Sequence, residues 1–395
     1  MTTPQGSSAE RAAEVTSGSP AVSIAGTVDP AFKAVRDAFA GNFSSGREVG
    51  ASLAIHVNGR PVVDLWGGFA DAARTRPWEP DTLACVFSCT KGVVAVLALQ
   101  LVARGELDLD APVASYWPEF AQADKGVIPV RWLLTHEAGL SAIDRPMPFG
   151  SLSDWDLMID ALAAQAPAWT PGQGHGYHGV TFGHLVGEVL RRITGISVGR
   201  LLADELAGPL GLDLRLGISG DDPRIADMVP PPPPAPGEQN FFAHFTPDSL
   251  GARSFGNPPD SNSIKHTNSA RWREAEIPSA NGHGTARDLA ALYAALPRLL
   301  GPELTAEAGR AQVDGLDLVM QLPTRFGLGF EVTLPEWQFG PGTNTFGHNG
   351  SGGSLGLLDP DAGISFGYVM NQMSWGATRD DARWGPLFDA LYSSL

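Results

Sequence analysis

Cysteine is almost absent from the 395-residue sequence: only Cys85 and Cys89 occur, four positions apart. Two thiols cannot build a disulfide framework, and they do not complete a tetrahedral thiolate metal site. Long apolar runs are missing as well. The longest, Val93 to Leu99, falls far short of the roughly 20 residues a membrane helix needs. The first residues, MTTPQGSSAERAAEVTSGSP, lack both the basic start and the apolar stretch of a secretory signal. They predict a flexible leader over 1–27. Positive charge is scarce, with 27 Lys and Arg against 43 Asp and Glu, a formal net charge of −16. Nucleic acid and anionic membranes would be repelled by such a surface. The expectation is a soluble cytoplasmic protein, monomer or homo-oligomer, acting on a small neutral molecule.

What is present is a globular composition, 43% hydrophobic and 18% charged. Strand-like runs lie near both ends of the chain. ASLAIHV and PVVDLWGGFA are joined by Asn58-Gly59, a strong two-residue hairpin signal. GSLGLLDPDAGISFGYVMNQ gives two more strands around a Pro/Asp/Gly turn. Helical patterns fill the middle, with a proline run at Pro230–Pro234 that reads as a surface loop, and WGPLFDALYSSL closes the chain as an amphipathic helix. No internal repeat is found. This arrangement predicts an α/β fold of α+β type. An antiparallel sheet from 28–87 and 288–395 is flanked by helices, and a mainly helical domain is inserted at 88–287.

The segment Ser88-Cys89-Thr90-Lys91 opens a run that is apolar around the whole helix as far as Leu99, the pattern of a buried helix. Ser88 and Lys91 share a face at i, i+3. Two readings fit. Ser88 can be an ordinary N-cap with Lys91 reaching solvent. Alternatively burial strips the amine of hydration, lowers its pKa and lets it take the serine proton. A second serine, in Gly195-Ile196-Ser197-Val198-Gly199, spells the G-x-S-x-G pattern of a nucleophile elbow. The stretch before it has helical spacing, not that of a strand, so Gly195 is expected to end one helix and Ser197 to cap the next. Ser197 is therefore rejected as a nucleophile.

Tyr177 lies in a glycine-rich loop feeding a helix N-terminus; it reads either as a tyrosine stacked in that loop or as a second base, its phenol pKa lowered by the dipole and a nearby ammonium. His348-Asn349-Gly350-Ser351 stands at a strand entrance, with glycines that let backbone N–H groups approach a ligand. His175 and His178 have no evident carboxylate or cysteine companions, so no metal is expected.

The order of S-x-x-K, Tyr177 and H-x-G resembles the serine β-lactamase/penicillin-binding-protein superfamily. The nearest likeness is to family VIII carboxylesterases, relatives of class C β-lactamases. Longer segments share it: LVARGELDLDAPVASYWPEF, VRWLLTHEAGL, YHGVTFGHLVGEVLRRITG, IPSANGHGTARDLAALYAAL and FGHNGSGGSLGLLDPDAGISFGYVMNQM, so that it spans roughly 30–395. The resemblance implies Ser88 as the acylated nucleophile, Lys91 as its proton partner and Tyr177 as the base for the hydrolytic water. It also implies an oxyanion hole from the Ser88 and Ser351 N–H groups, with His348 and Gly350 beside it in substrate binding. His136, in LLTHEAGL, falls in a segment the family uses structurally. Two positions depart from class C enzymes: Tyr177-His178-Gly179 replaces Tyr-x-Asn, and His348-Asn349-Gly350 replaces Lys-Thr-Gly. The implied activity is a cofactor-free carboxylesterase for short-chain acyl esters. β-Lactamase, D-amino-acid peptidase and acyltransferase activities, or a penicillin-binding sensor that does not turn over, are the alternatives.

Overall fold

The computed structural model describes residues 22–234, 241–261, 263–335, 338–375 and 381–395. Its strands in chain order are β1 (Ile24–Val28), β2 (Gly50–Val57), β3 (Arg60–Gly68), β4 (Ala84–Cys85), β5 (His283–Gly284), β6 (Val313–Leu316), β7 (Pro323–Phe326), β8 (Glu331–Val332), β9 (Phe346–Asn349), β10 (Leu355–Asp359) and β11 (Ile364–Met370). Nine of these form one antiparallel sheet in the order β1-β3-β2-β11-β10-β9-β8-β7-β6, and β4 pairs with β5 apart from it. The two chain ends meet where β2 lies against β11, with Val57 opposite Ile364 and Ala51 opposite Met370.

Helices cover both faces of this sheet, so its central strands read as continuous apolar runs and not as alternating ones. Lys33–Ser44 and Trp384–Tyr392 pack on one face, and Ala286–Leu300 lies over β2, β10 and β11 on the other. A side chain at Gly367 would strike the Ala286 carbonyl, so glycine is what lets that helix approach β11. Leu53, Ile55 and Leu65 are fully buried beneath these helices, each contributing about 1.5–3 kcal/mol. The last residues of the stretch expected as a leader, 1–27, belong to the sheet. Ile24–Val28 forms edge strand β1 on β3, a half-buried five-residue strand with Gly26 inside it and too short to show a period. Residues 1–21 lie outside the described residues.

Between β4 and β5 the chain is mainly helical. The Cys89–Ala103 helix packs against the Phe182–Thr194 helix and also against β9. That packing brings Ser88, the Tyr177 loop and the end of β9 to one place. Among the described residues no helix is long and apolar enough to cross a membrane.

Candidate active site

Ser88 sits at the head of the Cys89–Ala103 helix, in which every residue from Cys89 to Leu99 is buried. Its side chain makes no capping hydrogen bond, so the N-cap reading does not describe it. The hydroxyl oxygen instead lies 3.0 Å from Lys91 Nζ, which also donates to the Ser279 carbonyl at 2.9 Å. Lys91 is fully buried and cannot reach solvent. Burial pushes its amine down to about 7, against the opposing pull of Glu331 and Cys89. Phe87, immediately before the serine, holds φ at 45°, a left-handed conformation that costs a bulky residue energy and recurs at functional sites.

Tyr177 is fixed from three sides. Its N–H donates to both carboxylate oxygens of Asp317, at 3.1 and 3.0 Å. Its ring stacks on Phe326 at 5.9 Å, and Lys91 Nζ stands 4.8 Å from the ring centroid. The adjoining His178 is locked as a neutral imidazole. Nδ1 donates to the Gly176 carbonyl at 2.7 Å, and Nε2 accepts from the Leu140 N–H at 2.9 Å. The lowered phenol pKa expected for Tyr177 is not found. Burial raises it well above its usual value and Glu331 adds to this, while the hydrogen bond with Ser88 pulls only partly back. The ring is enclosed, and desolvation outweighs the distant helix dipole.

Asp317 also accepts from the N–H groups of Val319 and Met320, both at 2.8 Å, and from the Thr324 hydroxyl at 3.1 Å. Asp317→Ala leaves those buried donors unpaired and is expected to lower stability by about 2–4 kcal/mol. It should also reduce kcat by letting the Tyr177 loop move. Urea unfolding together with steady-state kinetics on the folded fraction checks both effects.

The third component is the turn after β9. A side chain at Gly350 would collide with the Val86 carbonyl, so glycine lets this turn approach the backbone just ahead of Ser88. Ser351 and Ser88 then line one pocket of about 60 Å³, with Phe87, Val180, Phe255 and Ile277 among its walls. Among the described residues neither the Ser88 nor the Ser351 N–H donates a hydrogen bond. Gly350 is turned to its own strand end, its N–H donating to the Ser354 carbonyl at 2.7 Å. His348 is placed differently from the substrate-binding role expected of it. It is 1% exposed, lies 6.2 Å from the Tyr177 ring and does not line the pocket. β9 is packed against the Cys89–Ala103 helix, which encloses the imidazole. Burial and the Lys91 charge push its pKa down to about 3.

Several neighbours of the site carry no signal in the sequence. Ser279 contributes a backbone carbonyl, which any residue type could supply. Glu331 accepts from the Asn349 N–H at 3.0 Å, and Asp317 lies 140 residues from the tyrosine it holds. Both cysteines are buried and unbridged, and burial pushes the Cys85 thiol up to about 12. His175 Nε2 meets the Thr324 hydroxyl at 2.7 Å and both His178 nitrogens have backbone partners. Among the described residues no group of three or more His, Cys, Asp or Glu side chains could hold a metal ion. Ser197 caps the Val198–Leu202 helix by accepting from the Arg200 N–H, and Gly195 ends the preceding helix with φ at 74°. The G-x-S-x-G serine thus sits between two helices.

The chain and its fold have counterparts. Residues 31–387 match the beta-lactamase family. The esterase/beta-lactamase LipL of Mycobacterium tuberculosis is 37% identical over 367 residues, covering 89% of this chain and 83% of that protein. Among solved structures, a penicillin-binding protein homolog from Caulobacter crescentus superposes with a TM-score of 0.86 at 40% identity, over 94% of this chain and 100% of its own. A family VIII carboxylesterase superposes with a TM-score of 0.85 at 38% identity, with the same coverage of both chains. By the family match and these relatives, the chain belongs to the beta-lactamase family and is a serine hydrolase.

Proposed function

We propose that the protein is a carboxylesterase that cleaves small, neutral, short-chain acyl esters through an acyl-enzyme on Ser88. The observation that carries this reading is the Lys91 amine, buried, shifted to about 7 and 3.0 Å from the Ser88 hydroxyl oxygen. A neutral amine at that distance can take the serine proton as the oxygen attacks the ester carbonyl. The Ser88 and Ser351 N–H groups, both without acceptors among the described residues, then stabilise the oxyanion. Lys91 becomes an ammonium beside the Tyr177 ring, and this new charge favours loss of the phenolic proton. Tyr177 can therefore protonate the departing alkoxide and afterwards take a proton from the hydrolytic water. It works as a proton relay and not as a resting phenolate, in keeping with its raised pKa. The small pocket, with no charged residue among its described walls, suits a short neutral acyl group. The names of the esterase/beta-lactamase and carboxylesterase relatives point the same way.

Two measurements test the reading. A hydrolysis screen over p-nitrophenyl esters, amides and β-lactams should give multiple turnovers on short esters, where a non-turnover sensor would stop after one equivalent. The pH dependence has a definite sign, because Lys91 must be unprotonated to act as a base. kcat/KM should rise as pH passes through about 7 and fall below it. Lys91→Ala should lower kcat by about 10²–10⁴-fold and remove that inflection. A wild-type profile flat from about pH 5 to about 9 would contradict the assignment of Lys91.

A further inference from the structure

Behind the turn that carries Ser351 lies a group of side chains with no contact to the pocket. Arg383 is 2% exposed, although it carries a full charge. Its Nη2 donates to the Gly352 carbonyl. Its Nη1 donates to Glu48 Oε1 and to the Gln372 carbonyl, both at 2.9 Å, and its Nε donates to Asp381 Oδ1 at 2.7 Å. The next residue, Trp384, donates from its indole Nε1 to the Gly353 carbonyl at 3.0 Å. Two consecutive carbonyls of the turn are thus held by two consecutive side chains at the start of the C-terminal helix.

The turn needs such support. Gly352 and Gly353 have φ of 86° and 123°, conformations that only glycine adopts easily and that leave the backbone free to reorient. Within the turn the Gly353 N–H reaches the Gly350 carbonyl at 3.0 Å and the Gly350 N–H reaches the Ser354 carbonyl at 2.7 Å. The first of these bonds holds the Gly350–Ser351 peptide, which carries the Ser351 N–H, and its donor, the Gly353 N–H, shares a peptide plane with the Gly352 carbonyl. Anchoring the Gly352 and Gly353 carbonyls from behind therefore fixes the Gly353 N–H that holds the Ser351 peptide, whose own N–H has no acceptor among the described residues. A preorganised donor is what an oxyanion hole requires, because no reorientation then accompanies the reaction.

We infer that Arg383 and Trp384 are positioning residues for the oxyanion hole, holding the Gly352 and Gly353 carbonyls so that the Ser351 N–H faces the reacting carbonyl. This rests on the reading of Ser88 and Ser351 given above. The predicted signature is a change in transition-state stabilisation with little change in substrate binding.

Trp384→Phe is the sharper variant, because it keeps the ring and removes one donor. Arg383→Lys is the second: it retains a cation for Glu48 and Asp381, whereas an uncharged residue would leave those buried carboxylates unpaired and strongly destabilise the fold. With p-nitrophenyl acetate, Trp384→Phe should lower kcat by about tenfold and Arg383→Lys by about 10²-fold, an upper guide being the 10²–10³-fold cost of losing one oxyanion donor. KM should stay within about twofold in both. The rate of Ser88 labelling by a fluorophosphonate, whose phosphoryl oxygen enters the same hole, should fall in parallel, and the pH inflection of Lys91 should not move. Wild-type kcat and labelling rate in folded Trp384→Phe, or a rise in KM at unchanged kcat, would overturn the inference. Failure of the underlying reading looks different: the fluorophosphonate would then attach elsewhere than Ser88 in the wild-type protein. If Trp384→Phe does not fold, Arg383→Lys decides by the same two rates.

Discussion

Ser88→Ala is expected to abolish ester hydrolysis, lowering kcat on the order of 10⁴–10⁶-fold, while Ser197→Ala retains nearly all of it. Removing a hydrolase nucleophile has effects of that size because the remaining groups act only through it. Ser88 combines a helix N-terminus, a hydroxyl not spent on capping, and a buried amine at 3.0 Å. Ser197 shares only the helix N-terminus. Its hydroxyl donates to Glu276 Oε1 at 2.6 Å and accepts from the Arg200 N–H at 3.3 Å, so both hydrogen-bonding directions are structural. The cost of Ser197→Ala should appear in stability, at about 1 kcal/mol for a lost N-cap. Intact-mass and peptide analysis after fluorophosphonate treatment should place the adduct on the peptide containing Ser88. Loss of activity in a folded Ser197→Ala protein would reverse the assignment.

The rejection of Ser197 was legible in the sequence because its signal is local. Gly195 with Ser197 spells the end of one helix and the start of another, whereas the apolar run after Lys91 marked a buried helix but left open whether the amine reached solvent, which the packing settles. The sheet from both chain ends was legible for a similar reason: Asn58-Gly59 and the Asp/Gly turn before Ile364 mark hairpins, and β2 and β11 are long apolar runs. The short strands β6, β7 and β8 were not, since two to four residues give no period.

Residues that act at a distance left no trace either. The Ser279 carbonyl lies 188 residues from Lys91. Tyr177 was visible from its loop, but its titration depends on packing by Phe326 and burial near Glu331, which only the assembled fold supplies. His348 reads in sequence only as part of a glycine-rich strand entrance. Its burial follows from the contact of β9 with the serine helix, which no local pattern reports.

Short-chain ester hydrolysis is expected to exceed β-lactam hydrolysis in kcat/KM by one to four powers of ten. A strained acyl group presented to Ser88 should still be attacked, so slow acylation by a cephalosporin such as nitrocefin is expected. Efficient turnover needs the substrate's carboxylate and acylamino group to be held as well. Where class C enzymes carry the lysine of Lys-Thr-Gly, this chain has His348, a buried imidazole pushed down to about 3 and therefore uncharged at neutral pH. Among the described residues the pocket walls contain no charged side chain to replace it.

The asparagine of Tyr-x-Asn is replaced by Gly179, and the space is not vacant. A Cβ at that position would collide with the Phe255 ring, which forms part of the pocket wall. Restoring the amide by Gly179→Asn would thus displace Phe255 before it could bind anything. Each missing hydrogen bond to a charged or buried group costs about 1–3 kcal/mol. Two together give the stated ratio at about 1.4 kcal/mol per tenfold. Parallel kcat/KM measurements on nitrocefin and p-nitrophenyl acetate decide the matter. Comparable values would mean that the lactam is anchored by groups other than the two positions considered, and would move the assignment from esterase to β-lactamase.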